Sequence, residues 1–161
     1  MPLALVRVDD RLIHGQVVAV WLRELDARRI VVVDDAVAHD QLLREVIELA
    51  APKDVEVEVL DVVSAAPRLS MLDAQPERSL VLVRSPLTAL RLTHAGVQLP
   101  VVNVGGVGAA PGRRRVHRTI SLSDDEIDAL RELERSGTRV ELQIVPSDRP
   151  LALRGLGRRD G

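Results

Sequence analysis

The 161-residue chain is 46% hydrophobic and 29% charged, which is enough apolar material for one sizeable core at the usual length of a single domain. Its apolar runs are cut by charge far short of the ~18 residues that span a bilayer, and its lack of cysteine excludes disulfides, thiolate nucleophiles and thiolate metal sites. All but one of the 22 basic residues are arginine, Lys53 being the exception, and Trp21 is the only aromatic side chain besides histidine, so lysine chemistry and base-stacking platforms for nucleic acid are nearly ruled out. The net charge of −2 is uneven: residues 1–80 carry 9 basic against 15 acidic side chains, and residues 81–161 carry 13 against 9, leaving the second half able to attract an anion. The opening segment is strand-like and bears an early Arg7, Asp9, Asp10, Arg11 cluster in place of a basic, apolar, small-residue leader. The expectation is a cytoplasmic protein without a signal peptide.

In chain order, residues 3–8 (LALVRV) predict a strand and Gly15 to Leu25 a helix, in which Val17, Val18, Trp21, Leu22 and Leu25 recur at three- and four-residue spacing. Arg29–Asp34 is an apolar strand ending in acid, followed by a helix over about 38–51 that Pro52 stops. Val55–Leu60 predicts a third strand, 61–74 a weaker helix interrupted by Pro67, and Ser79–Arg84 a fourth strand. Pro86 suits the first turn of a helix ending at Gly96, before a fifth strand at 100–104. Gly105–His117, with its glycines and Pro111, reads as a loop, then a short strand near 118–122. Ser123 and Glu126 have the spacing of a capping box, opening a helix striped by Ile127, Leu130 and Leu133 and closed by Gly137. Arg139–Val145 alternates as a last strand, and the Arg-, Gly- and Pro-rich residues 147–161 read as a loose tail behind a domain at 1–146. Apolar strands alternating with helices predict an α/β fold: one mostly parallel sheet of about seven strands with helices on both faces. Strand-to-helix loops then gather at the carboxyl edge of the sheet, the place to look for chemistry.

The sharpest local feature is residues 7–17, RVDDRLIHGQV, leaving the first strand for the first helix. Such a junction aims backbone N–H groups and the positive helix end at whatever lies before it, favouring an anion. At its mouth stands His14, whose neutral imidazole is nucleophilic near pH 7, and Arg11 supplies a permanent fork of donors for phosphate oxygens. Asp9 and Asp10 have two open roles, accepting a bond from the other ring nitrogen or holding Arg11, while Gly15 lets a ligand approach the backbone. Together these residues suit transient phosphoryl transfer to His14. Against it stands a plainer reading, a surface histidine beside a solvated charge cluster.

The segment resembles the signature of the IIB subunits of the mannose/fructose/sorbose family of the bacterial phosphotransferase system (PTS). The likeness continues through RIVVVDDAVAHD (29–40), APKDVEVEVLDV (51–62), RSPLTALRLTHAGV (84–97), VVNVGG (101–106) and TISLSDDEIDALREL (119–133). The resemblance implies that His14 accepts phosphoryl from a IIA phosphohistidine, on Nδ1, and passes it to a sugar held by the membrane subunits IIC and IID. It implies that Arg11 steadies the group, that Asp9 and Asp10 are the acidic pair beside it, and that Arg7 is the basic residue opening the motif. Asp34, Gly105 and Gly106 are expected neighbours of the site. No metal, organic cofactor, nucleic acid or membrane insertion is implied, and self-association is left open. An alternative is a regulatory module that uses phospho-His14 as a signal without carrying sugar. Where relatives commonly have an aromatic residue after NVGG, this chain has Val107 to Arg115 and no Phe or Tyr. That loop is expected to flank the site and touch partners.

Other features point less far. Gly105, Gly106 and Gly108 follow a strand, but Pro111 takes the place of the third glycine of a dinucleotide fingerprint. Asp34 and Asp35 read as an electrostatic neighbour of the His14 loop or a simple cap, His39 and His94 as surface residues, and His117 as a residue that could approach the site. Arg113, Arg114, Arg115 and Arg118 form a basic cluster suited to an acidic partner face or to the phosphate itself.

Overall fold

Strands RIVVV and SLVLV are buried along almost their whole length, as near-continuous apolar runs are when both faces of a parallel sheet are covered. A computed structural model describes residues 3–153. The order is β1 (Leu3–Asp9), α1 (Gly15–Leu25), β2 (Arg29–Val33), α2 (Asp35–Ala38), α3 (Gln41–Leu49), β3 (Glu56–Leu60), α4 (Val62–Asp73), β4 (Ser79–Val83) and α5 (Pro86–His94), then β5 (Val101–Gly106), β6 (Arg113–His117), β7 (Ile120–Ser123), α6 (Asp124–Arg135), β8 (Arg139–Leu142) and β9 (Leu151–Ala152). Seven strands form one sheet in the order β3-β2-β4-β1-β5-β8-β9. Every pairing in it is parallel except β8 with β9. β6 and β7 form a separate antiparallel hairpin.

Period-two alternation divides the strands between two cores. Val6, Val8, Val31, Val33, Val81 and Val83 meet Leu69 of α4, Leu92 of α5 and Leu130 of α6, while Leu5, Ile30, Val32, Leu80 and Leu82 meet Val18, Trp21 and Leu22 of α1. Each fully buried Val or Leu contributes about 1.5–3 kcal/mol, so the sheet faces dominate the stability. The topology also locates a crevice. From β1 the chain goes to β2 on one side of the sheet, whereas β5 lies against the other side of β1, and ligands of open α/β sheets sit at the carboxyl ends of strands where the order so diverges.

Four expectations need correction. The single helix over 38–51 is two, because Asp40 caps a fresh start by accepting the Leu43 N–H at 3.1 Å. Pro67 does not interrupt α4; the N–H it lacks would have served the carbonyl of Val63, a residue on the exposed side of the helix. Gly105–His117 is not all loop, since Arg113–His117 pairs with β7. The chain past 146 is not loose where it is described, for Leu151 and Ala152 pair with Leu142 and Glu141; residues 154–161 of the expected tail lie outside the described residues.

The capping box is present in both directions: the Glu126 N–H donates to Ser123 Oγ, and the Ser123 N–H donates to Glu126 Oε1, each at 3.1 Å. Ser123→Ala removes the first bond and is expected to lower unfolding free energy by about 1 kcal/mol, read from the midpoint of urea denaturation; an unchanged midpoint would count against the cap.

Candidate functional site

The site is built outward from a cation inside the sheet. Arg7, 1% exposed, stands beside Asn103 in the parallel register of β1 and β5. Its Nη1 donates to Asn103 Oδ1 at 2.6 Å and to the Gln143 carbonyl at 2.9 Å, and its Nη2 donates to the Ile144 carbonyl at 2.9 Å. The guanidinium lies 5.1 Å from the centre of the Trp21 ring, whose Nε1–H donates to the Ile144 carbonyl at 3.1 Å. Burial pushes the Arg7 pKa down to about 10 against the opposing pull of Asp9, so the group stays cationic at neutral pH. Alternation predicts β8 through Val145, but the strand ends at Leu142, and the carbonyls of the next two residues turn to this guanidinium.

Asp9, also 1% exposed, carries the charge outward. Its Oδ2 lies 3.9 Å from Arg7 Nη2. Its Oδ1 accepts the Arg11 N–H at 3.0 Å and Nε–H at 3.1 Å, and its Oδ2 accepts Arg11 Nη2–H at 3.2 Å. That bonding raises the Arg11 pKa and fixes a side chain that remains 44% exposed. Of the two roles open to Asp9, holding Arg11 is the one adopted.

Two glycines make room for these charges. A Cβ on Gly105 would stand 2.0 Å from Arg7 Nη1, and one on Gly106 would stand 2.4 Å from Asp9 Cγ. The β1–β5 register shifts between Val8 and Asp9, placing Asp9 opposite Gly106. Both glycines thus border the Arg7 and Asp9 side chains.

Asp10 ties the loop to the exit of β5: its N–H donates to the Gly106 carbonyl at 2.6 Å, and its Oδ2 accepts the Gly108 N–H at 2.9 Å. The chain then turns through Leu12, buried with φ +58°, a left-handed conformation that costs roughly 1–2 kcal/mol for such a residue. The Leu12 N–H donates to the Asp9 carbonyl at 2.9 Å. The turn throws His14 outward to the N-cap of α1, where it is exposed and its imidazole caps no backbone N–H. The first turn of α1 holds no acidic residue, so its N–H groups face outward without a competing anion. Gly15 adopts φ +37° with open space where a Cβ would stand.

Asp34 has another task. It accepts the Val37 N–H at 2.9 Å as the cap of α2 and lies 3.6 Å from Arg84 Nε, with no bond to the Asp9–His14 loop. His39 pairs with Asp61 at 2.8 Å and His94 with Glu132 at 3.0 Å, both at the surface. His117 sits at the turn end of the hairpin, paired with Ile120, and lines a cavity with Arg118 and Asp148. The basic cluster is largely spent on the chain's own acids: Arg113 pairs with Glu126 and Arg114 with Asp124. Asn103, Gln143 and Trp21 are site residues that the sequence reading missed; a polar Asn103 inside the apolar run VVNV was the available clue. Among the described residues no group of three or more His, Asp or Glu is placed to hold a metal ion.

The family of PTS system sorbose subfamily IIB components matches residues 3–158. The chain belongs to this family. It is 35% identical over 148 residues to the sorbose-specific EIIB component of Klebsiella pneumoniae, covering 92% of this chain and 90% of that one. It is 34% identical to the mannose-specific EIIAB component of Escherichia coli K12, covering 97% of this chain and 48% of that one. The crystal structure of the IIBSor domain of the K. pneumoniae sorbose permease superposes with a TM-score of 0.88 at 34% identity, over 95% of this chain and 94% of that one. The protein is therefore a phosphotransferase-system component of the IIB type, and among its described residues no helix is long and apolar enough to cross a membrane.

In this IIB protein the packing at Gly105 yields a firm expectation. The Arg7 guanidinium is held on three sides and cannot withdraw from an added methyl, so Gly105→Ala should destabilise the fold by about 3 kcal/mol. Thermal and urea denaturation measure it, and a loss below about 1 kcal/mol, the scale of an ordinary glycine substitution, would show that Arg7 is not fixed as described.

Proposed function

We propose that this IIB protein is a sugar-specific phosphocarrier whose His14 takes phosphoryl from a IIA phosphohistidine and passes it to a sugar held by the membrane subunits IIC and IID. One observation carries the reading: an exposed imidazole stands at an uncapped helix N-terminus, three residues after an arginine of the same loop that is already locked by a buried carboxylate. A neutral ring nitrogen, Nδ1 in this reading, attacks the phosphorus in line. The N–P bond of the donor imidazole breaks as the new one forms, and the group passes as metaphosphate-like PO₃ with charge spread over its equatorial oxygens. Arg11 and the first-turn N–H groups of α1 hold those oxygens, and their preorganisation removes reorganisation from the barrier. The product keeps a labile P–N bond, so a sugar hydroxyl can attack next, again in line, its P–O bond forming as the P–N bond breaks and its proton passing to the departing imidazole, which returns to its starting state. The name of the E. coli relative, EIIAB, and the 48% of it that this chain matches support a IIA donor. The carboxyl edge of the sheet, where His14 is exposed, is the docking face of this reading, which places the protein in the cytoplasm at a membrane transporter.

Incubation with the general phosphotransferase proteins, a IIA donor and phosphoenolpyruvate is expected to give an acid-labile, base-stable phosphoryl group that maps to His14. His14→Ala should abolish labelling while circular dichroism and melting stay native; a normally labelled variant refutes the assignment. Arg11→Ala should slow transfer roughly 100-fold in protein shown to be folded, and rapid-quench rates equal to wild type would remove Arg11 from the chemistry.

A further inference from the structure

The arginine run of β6 contains one member that faces inward. Arg113 Nε and Nη2 donate to the two carboxylate oxygens of Glu126 at 2.8 and 3.2 Å. Its Nη1 donates to the Gly108 carbonyl at 3.1 Å and lies 3.5 Å from Asp10 Oδ2. The same Asp10 oxygen accepts the Gly108 N–H at 2.9 Å. Glu126 is 4% exposed and is itself fixed by the capping box with Ser123. One planar, permanently charged fork therefore joins three segments distant in sequence: the His14 loop at Asp10, the exit of β5 at Gly108, and the start of α6 at Glu126.

We propose that Arg113 is a positioning residue for phosphoryl transfer. It braces Asp10 against the β5 exit, and through Asp10 it sets where Arg11 and His14 stand. The proposal rests on the reading of His14 as the phosphoryl acceptor. Arg113 is not a docking cation, because its side chain is 18% exposed and all three guanidinium nitrogens are engaged within the chain; Arg115, exposed in the same run, differs in this respect. Nor is filling space its whole task. Two apolar side chains would fill the Arg113–Glu126 volume and often match a buried ion pair in stability, yet they would leave Asp10 and Gly108 without the brace. A misplacement of 1 Å at a reacting group costs on the order of 100-fold in rate.

The test follows from that distinction. Arg113→Met combined with Glu126→Met removes both charges, so neither is left buried alone. Steady-state transfer from phosphorylated IIA is expected to show kcat lowered about 10- to 100-fold with KM for the donor within about twofold, and the single variant Arg113→Lys, which keeps a charge but not the fork, is expected to fall between. An unchanged kcat overturns the proposal, and so does a loss confined to KM, which would make Arg113 a docking residue. Should the paired variant fail to fold, Asp10→Ala removes the acceptor of the same link from the other end and carries the same expectation. Hydrogen exchange at the Gly108 N–H gives a readout independent of activity: exchange about 10-fold faster in the paired variant supports the brace, and unchanged exchange overturns it. Wild-type protein that takes no phosphoryl would refute the acceptor role of His14 and leave the brace to be judged by that exchange rate alone.

Discussion

A guanidinium at the centre of a parallel sheet has to be answered by acceptors, and in this protein the answer organises the carboxyl edge. Arg7 draws on the side chain of Asn103, the carbonyls of Gln143 and Ile144, and the nearby charge of Asp9. These come from β5, from the chain leaving β8, and from β1 itself. Breaking such a buried arrangement by removing one partner typically costs about 3–5 kcal/mol, comparable to a large part of a domain's net stability. The strand ends beside the site are thus held to one another by a charge as well as by apolar contact, and loops set on them inherit that fixity. The space the charge needs is supplied by leaving out side chains at Gly105 and Gly106.

From Arg7 the polar chain runs outward in alternating sign. Asp9 is buried between two arginines, one sealed and one partly exposed, and accepts three hydrogen bonds from the exposed one. Arg11 therefore has little rotamer freedom left to lose when a ligand arrives, which is the physical content of preorganisation. His14 differs from its neighbours, for its ring caps nothing and faces solvent. A proposed nucleophile that must meet two different partners benefits from this contrast: the donors around it are fixed, while the reacting group is accessible.

The elements legible in the sequence were those whose burial leaves a simple periodic trace. Strands covered on both faces appear as unbroken apolar runs, and α1 shows its Val18, Trp21 and Leu22 at helical spacing, so the α/β class and the mostly parallel sheet could be read from pattern, although the strand near 118–122 pairs in the separate hairpin and β9 completes the sheet. The His14 junction was legible because strand, loop and helix are contiguous there. What was not legible depends on distant partners. Arg113 read as a cation for an acidic partner face or the phosphate because Glu126 and Asp10, which neutralise it, lie 13 and 103 positions away. Arg7 looked like the opening residue of a phosphate motif, and only the neighbouring strand reveals it as a buried strut. The pairing of β9 was hidden for the same reason, since two residues carry no period of their own. α3 is amphipathic, yet none of its residues is buried, so its apolar side rests on the sheet only at its edge.

The balance of charge near the proposed acceptor His14 bears on how, in that reading, a carrier releases what it takes. Arg7 and Arg11 stand against Asp9 in one cluster and Arg113 against Asp10 and Glu126 in the next, so the formal charges of the two clusters together sum to zero. A strongly positive pocket would bind the dianionic phosphohistidine itself, a ground-state stabilisation that raises the barrier to the next transfer. Two clusters whose charges offset one another keep the surroundings from becoming such a pocket. What remains is directional: Asp9 occupies the Arg11 Nε–H and one Nη2–H, and of the five N–H donors of a guanidinium the other three stay available, joined by the open first turn of α1. In the proposed transfer, donors few in number and fixed in direction act on the equatorial oxygens where charge is spread. Stabilisation is then concentrated where charge is spread during reaction, in whichever direction the group moves, and a site meant both to receive and to donate requires that symmetry.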